Sequence, residues 1–158
     1  MKRHITFILF LLLSSYYNLY AEKELHIILT SNIQGKFSID PQIKTSQSKV
    51  IKLAKSIHKI SSYNNHIYID MGNAFYPGAL SKFSYGSIMM DYFNFTNCKG
   101  TLISSKDIQL GISTLEFLQK NNKTKFLSLS ILKNKVPLFS PYFLHTHYRE
   151  SIGFIAIS

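Results

Sequence analysis

The chain has 158 residues, 46% of them hydrophobic, a formal net charge of +10 and one cysteine. That apolar content excludes a disordered chain and the length suits one domain with its own core, while a lone Cys98 excludes an intramolecular disulfide framework. Basic charge is compatible with nucleic acid, anionic lipid or acidic polymers, but the lysines form no dense block along the sequence, which reads as a solvated surface without specific nucleic-acid binding.

Met1-Lys2-Arg3-His4, the apolar run Ile5 to Leu13 and a polar region ending at Ala21 have the layout of a secretory signal peptide, residues 1–21, leaving 22–158 as the mature domain. The run is too short for a comfortable span, so no membrane span is expected after cleavage. Leu19 is larger than the usual residue three positions before a cleavage site, which leaves an N-terminal anchor as the alternative. Export without disulfides fits a bacterial periplasmic or secreted protein. Cys98 is expected to be buried.

In chain order, Leu25 to Thr30 is a β-branched apolar run ending in a polar turn at Ser31 to Gly35, a buried strand and loop. Ser38 to Ser48, with Pro41, reads as surface loop. Val50, Leu53, Ala54, Ile57 and Ile60 recur at helical spacing over Lys49 to Ile60 and are expected to face a sheet. His66 to Asp70 is the next strand. Tyr85 to Phe95 reads as a helix with Ile88, Met89, Tyr92 and Phe93 inward, then a strand over Gly100 to Ser104. A helix over Ile112 to Gln119 turns Ile112, Leu115 and Leu118 inward, a strand covers Lys125 to Leu132, and Tyr142 to Tyr148 with Ile152 to Ile157 form a hairpin around Arg149 to Ser151. Such alternation implies an α/β domain, a mostly parallel sheet flanked by helices, whose strand ends carry the functional loops.

Four segments carry a family resemblance. Leu25-His26-Ile27-Ile28-Leu29-Thr30-Ser31-Asn32-Ile33-Gln34-Gly35 is similar to the opening strand L-T-I-L-H-T-N-D-I-H-G of 5′-nucleotidases in the calcineurin-like metallophosphatase superfamily. Asp70-Met71-Gly72-Asn73-Ala74-Phe75-Tyr76-Pro77-Gly78 is similar to D-x-G-D-x-F-x-G, and Ser104-Ser105-Lys106-Asp107-Ile108-Gln109-Leu110-Gly111 stands where the family has G-N-H-E-F-D-x-G. Phe126 to Ile131 resembles the strand F-P-x-L-x-A-N-I, with the closing hairpin after it. The resemblance implies the first half of a four-layer αββα sandwich.

In that family two Zn- or Mn-type ions bridged by a carboxylate clamp phosphate and activate water. The positions of four ligands are here Asn32, Gln34, Asn73 and Ser105, and Lys106 stands where a histidine assists phosphate transfer. None of these side chains supplies the anionic oxygen or imidazole nitrogen that holds a transition metal firmly, and an ammonium repels one. The family's further histidine ligands have no counterpart in these residues. The expectation is therefore a catalytically inactive homologue without metal cofactor, acting by binding or association; the alternative is a residual metal-dependent phosphoesterase.

The remaining polar groups, Ser31, Asn32, Gln34, Asn73, Ser104, Ser105 and Lys106, could hydrogen-bond a phosphate-bearing ligand, with Asn32, Asn73, Ser105 and Lys106 foremost. Asp70 is expected to tie its own loop together and Asp107 to pair with Lys106. His145 and His147, two apart on a strand, share a face; they read as polar residues on the solvent side of the hairpin. An apolar sheet face left open would favour self-association or a protein partner.

Overall fold

A computed structural model describes residues 24–37, 48–61 and 65–157; the expected signal peptide and most of the stretch expected as a surface loop with Pro41 lie outside the described residues. Four strands, β1 (His26–Thr30), β2 (His66–Asp70), β3 (Cys98–Leu102) and β4 (Lys125–Leu127), make one parallel sheet in sequential order. Parallel neighbours require crossovers, and right-handed crossovers between successive strands place every crossover helix on one face. The crossovers are α1 (Lys49–Ser61), the pair α2 (Ala79–Phe83) and α3 (Ser87–Phe95), and α4 (Ile112–Lys120), which follows a 3₁₀ turn at Asp107–Leu110.

The sequence dictates these elements locally. Ser48 caps α1, its Oγ accepting the Val50 N–H at 3.2 Å. Val50, Ala54 and Ile57 of α1 are buried as the periodicity demands, but Leu53 and Ile60 remain 37% and 45% exposed, because the sheet contacts a narrower stripe than the apolar spacing offers. On α3 the buried set is Met89, Met90, Tyr92 and Phe93; Met90 takes an inward place and Ile88 is only partly covered. Leu115 and Leu118 of α4 are buried and Ile112 partly so. These helices close the main core with Tyr68, Phe75 and Phe126.

Several boundaries differ from the sequence reading, among them the last strand, expected from Ile152 and found at Glu150–Ile155. The helix expected from Tyr85 begins at Ser87, with Tyr85 and Gly86 both at positive φ, and the separate α2 precedes it. The third strand begins at Cys98, two residues early. The strand expected over Lys125 to Leu132 stops at Leu127, and Leu132–Lys133 (β5) pairs antiparallel with Val136–Pro137 (β6). An apolar run cannot signal where its hydrogen-bonding partner ends, so the run is longer than the strand it contains.

Tyr142–His147 (β7) and Glu150–Ile155 (β8) form the closing hairpin, turning at Tyr148 and Arg149. Its Phe143, Phe154 and Ala156 cover Ile67, Ile69 and Leu127 on the sheet face opposite the helices. That face is thus partly filled. On the edge strand β1, Ile27 and Leu29 stay 47% and 54% exposed.

Candidate functional site at the strand ends

Parallel strands deliver their loops to one end, and there the segments Ser31–Gly35, Met71–Gly78 and Ile103–Asp107 meet. The first two are zipped by backbone bonds: the N–H groups of Asn32, Gln34 and Gly35 donate to the carbonyls of Gly72, Asn73 and Ala74 at 2.9, 2.9 and 2.7 Å, and Gly78 N–H returns to the Gln34 carbonyl at 2.7 Å. Asn32, Gln34 and Asn73 all have φ between 54° and 58°, the left-handed region that asparagine tolerates better than most residues and glutamine does not favour. Gly78 is obligatory for close approach, because a Cβ there would overlap the Gly35 carbonyl.

Two aspartates hold these loops from beneath. Asp70 is fully buried; its Oδ1 accepts from Gly72 N–H (2.9 Å) and the Thr101 hydroxyl (3.1 Å), and its Oδ2 from the Thr30 hydroxyl (2.7 Å), as its expected loop-tying role requires. Burial pushes its carboxyl up to about 6, against these hydrogen bonds, which pull it down. Thr30 continues to the Tyr68 hydroxyl at 2.7 Å.

Asp107 corrects the expectation of a pair with Lys106. It is fully buried while Lys106 is exposed, and its carboxylate accepts four hydrogen bonds: from the N–H groups of Phe75 (2.9 Å), Asn73 (3.1 Å) and Ser104 (3.1 Å) and from Ser104 Oγ (2.7 Å). Asp107 N–H in turn reaches Ser104 Oγ at 3.3 Å. This is the reciprocal bonding of a capping box, made by Ser104 and Asp107 at the entry to the 3₁₀ turn. The spacing Ser-x-x-Asp is its sequence signal, and it outweighs the adjacency of the lysine.

Above Asp107, two of the four side chains that the resemblance sets in ligand positions, Asn32 and Asn73, satisfy each other, joined by Ser104. Asn73 Nδ2 donates to Asn32 Oδ1 at 2.9 Å, and Ser104 Oγ lies 2.7 Å from Asn73 Oδ1. The structure therefore brings Asn32, Asn73 and Ser104 together, sets Ser31 3.4 Å from the Asn32 amide, and leaves Ser105 and Lys106 exposed at the rim. Gln34 is half-buried in the zipped loop.

This donor set does not fit a dinuclear metal centre. Its two central amides are engaged nitrogen to oxygen, an arrangement that orients a donor N–H into the place where a bridging anion would be needed, and the carboxylates beneath are occupied by backbone N–H groups and by the hydroxyls of Thr30, Thr101 and Ser104. Among the described residues no group of three or more histidine, cysteine, aspartate or glutamate side chains could hold a metal ion.

His145 and His147 correct a second expectation. They lie on the same face of β7 as the buried Phe143, turned toward the sheet, and both are half-buried, with ring centroids 6.4 Å apart. Burial first, then the neighbouring His147 and Lys99, holds the His145 imidazole below its ordinary value. The alternation holds and the face is inverted, because a two-residue period does not say which side meets the core. Cys98 is buried as expected, and burial raises its thiol well above the ordinary range, so it is inert as a nucleophile.

No protein-family model matches the chain, and no curated protein does. Solved structures do. The chain is similar to the 5′-nucleotidase precursor of Thermus thermophilus (TM-score 0.69, 17% identity, 84% of this chain and 28% of that one) and to the calcineurin-like phosphoesterase YfkN of Bacillus subtilis (0.67, 12%, 84% and 48%). It is also similar to the NAD nucleotidase of Haemophilus influenzae (0.62, 21%, 85% and 26%). At these identities the likeness establishes the fold: a parallel sheet with flanking helices of metallophosphatase type. The chain spans between about a quarter and half of the length of these structures.

Proposed function

We propose that this chain is an exported, 5′-nucleotidase-like metallophosphatase homologue that acts by binding or association and does not hydrolyse phosphate esters. One observation carries the reading: the 2.9 Å hydrogen bond from Asn73 to Asn32, made between two positions that resemble metal ligands. Two carboxylates there would repel each other without a cation between them; two amides complete each other instead. The closed amide pair, the fully engaged Asp107 and the exposed Lys106 together describe a loop cluster that is stable without metal and offers hydroxyl, amide and ammonium groups to a phosphate. Asn32, Asn73, Ser105 and Lys106 are the proposed contacts.

Association is the second half of the proposal. β1 reads as a strand apolar on both faces, the pattern of a central strand, yet it lies at the sheet edge with Ile27 and Leu29 half exposed. A second copy or another polypeptide covering that face would remove the mismatch. Secretion or a periplasmic location rests on the layout of residues 1–21; among the described residues no helix is long and apolar enough to cross a membrane.

The test joins metal analysis, phosphate release and calorimetry on the purified protein. Substoichiometric zinc and manganese, no chelator-sensitive release of phosphate from a nucleotide or a generic ester, and nucleotide binding lost in Lys106→Ala are expected. Stoichiometric metal with turnover abolished by chelator would establish the phosphoesterase instead, and silence toward nucleotides at millimolar concentration would remove the ligand.

A further inference from the structure

Four lysines, Lys99, Lys120, Lys123 and Lys125, lie at the end of the sheet opposite the candidate site. All four strands begin there. Lys99 is the second residue of β3, Lys125 the first of β4, Lys123 lies in the loop just before β4, and Lys120 ends α4. The hairpin adds to the same end. β7 leaves Ser140, which is bridged to Leu127 at the far end of β4, passes Lys125, whose ammonium lies 5.8 Å from the Phe143 ring centroid, and then brings His145 within electrostatic reach of Lys99 before turning at Arg149. Among the described residues, the acids at this end are Glu24 and Glu150. Lys120 has an ordinary duty, since a cation in the last turn of a helix complements its dipole; Lys99, Lys123, Lys125 and Arg149 lie outside helices.

Two further features coincide with this charge. Phe95 and Tyr148 are exposed by 49% and 54% at the same end, Phe95 stacked on His58 and Tyr148 edge-on to His147. Between α3 and α4 opens a cavity of about 570 Å³ lined by Asn94, Asn97, Lys120 and Lys123 among others. Basic residues interleaved with aromatics that have apolar bodies and polar surroundings form the pattern of a surface lying against headgroups. Because β1 also starts here, the polypeptide leading back to Lys2, Arg3 and the apolar run Ile5 to Leu13 joins the domain at this end.

We propose that the strand-start end of the sheet docks on an anionic phospholipid surface, with Lys99, Lys120, Lys123, Lys125 and Arg149 against the headgroups and Phe95 and Tyr148 at the interface. The candidate site then faces away from the membrane. This stands independently of what the site binds.

The probe is vesicle co-sedimentation of the full chain on phosphatidylglycerol-containing and pure phosphatidylcholine vesicles, the latter giving the contribution of the apolar run. K120Q/K123Q/K125Q lowers partitioning onto the anionic vesicles about tenfold or more and leaves the neutral ones unchanged, whereas K49Q/K52Q/K55Q, equal in charge but on α1, lowers it less than twofold. The protein has no tryptophan, so Tyr148→Trp is a sole reporter whose emission shifts blue on anionic vesicles, while Phe83→Trp, next to the start of α3 at the other end, does not shift. Equal losses in the two triple variants, equal binding to both vesicle types, or equal shifts of the two reporters would overturn the proposal. So would tighter binding of duplex DNA than of anionic vesicles, lost in the same triple variant.

Discussion

Asn73 Nδ2 donates a hydrogen bond to Asn32 Oδ1 at 2.9 Å, linking the loop after β2 to the loop after β1 across 41 residues of sequence. Introducing acidity at these positions therefore has a calculable cost. In N32D/N73D the bond is replaced by two carboxylates at contact distance, close to Asp107, and the repulsion outweighs the lost amide bond. A loss of about 2 kcal/mol at neutral pH is expected, read by urea denaturation. Millimolar manganese recovers part of that loss in the double variant and changes nothing in the parent; identical metal responses in both would show that the loops do not juxtapose these positions.

The buried carboxylate of Asp107 is the structural centre of the same end. Asp107→Ala strips acceptors from the N–H groups of Asn73, Phe75 and Ser104 at once. At about 1–3 kcal/mol per buried group left unsatisfied, a loss of about 4 kcal/mol is expected, comparable with the whole stability of a marginal domain. Asp107→Asn keeps the oxygen that serves Asn73 and Ser104 and opposes its amide to Phe75 N–H, for about half that cost. Lys106→Ala, if the two residues were an ion pair, would cost as much as Asp107→Asn; with Lys106 exposed it is expected to change stability by less than about 0.5 kcal/mol.

How much of this is legible in the sequence follows from which signals are periodic. The alternation of strands and helices, the burial of Met89, Phe93 and Leu115, and the loop-tying role of Asp70 are legible because a buried face and a Gly-bounded strand end both leave marks in sequence. The partner of Asp107 is not, because proximity in sequence suggests Lys106 while backbone N–H groups, which carry no letter, take the carboxylate. Likewise the charge at the strand-start end is only partly legible: Lys120, Lys123 and Lys125 are close in the sequence, but Lys99 joins them only once β3 and β4 are placed side by side. The inward face of His145 and His147 depends on which side of the hairpin meets Ile67 and Leu127.

Gln34 is held at φ 58° by bonds on both of its peptide groups. Left-handed backbone costs a residue with a β carbon about 1–2 kcal/mol, and glycine returns about 1 kcal/mol of that through its freer unfolded chain. Gln34→Gly is expected to raise stability by about 0.5 kcal/mol, with Gln34→Asn between. Gly78→Ala has the opposite sign and a larger size, since its methyl would overlap the Gly35 carbonyl and force the two loops apart. A thermal shift series over the three variants checks the order; a destabilising Gln34→Gly would mean the side chain itself is held by the loops.

Asp70 gives the domain a defined acid response. Its folded value, about 6, lies above the ordinary 3.8 because burial disfavours the charge. Between those values the unfolded chain has released the proton and the folded one retains it, so stability from this group is full below pH 3.8, falls as pH rises, and is lost above pH 6. The amplitude is up to about 3 kcal/mol. Asp70→Asn removes the titration while keeping the geometry: the amide oxygen can accept from Gly72 and Thr101, and its nitrogen can donate to Thr30 Oγ1, which turns its own proton to Tyr68. Urea midpoints measured from about pH 4 to 8 are expected to converge for parent and variant at the acid end and to favour Asp70→Asn by a growing margin toward the alkaline end. A margin that shrinks with rising pH would reverse the sign and show that the ionised carboxylate stabilises the fold.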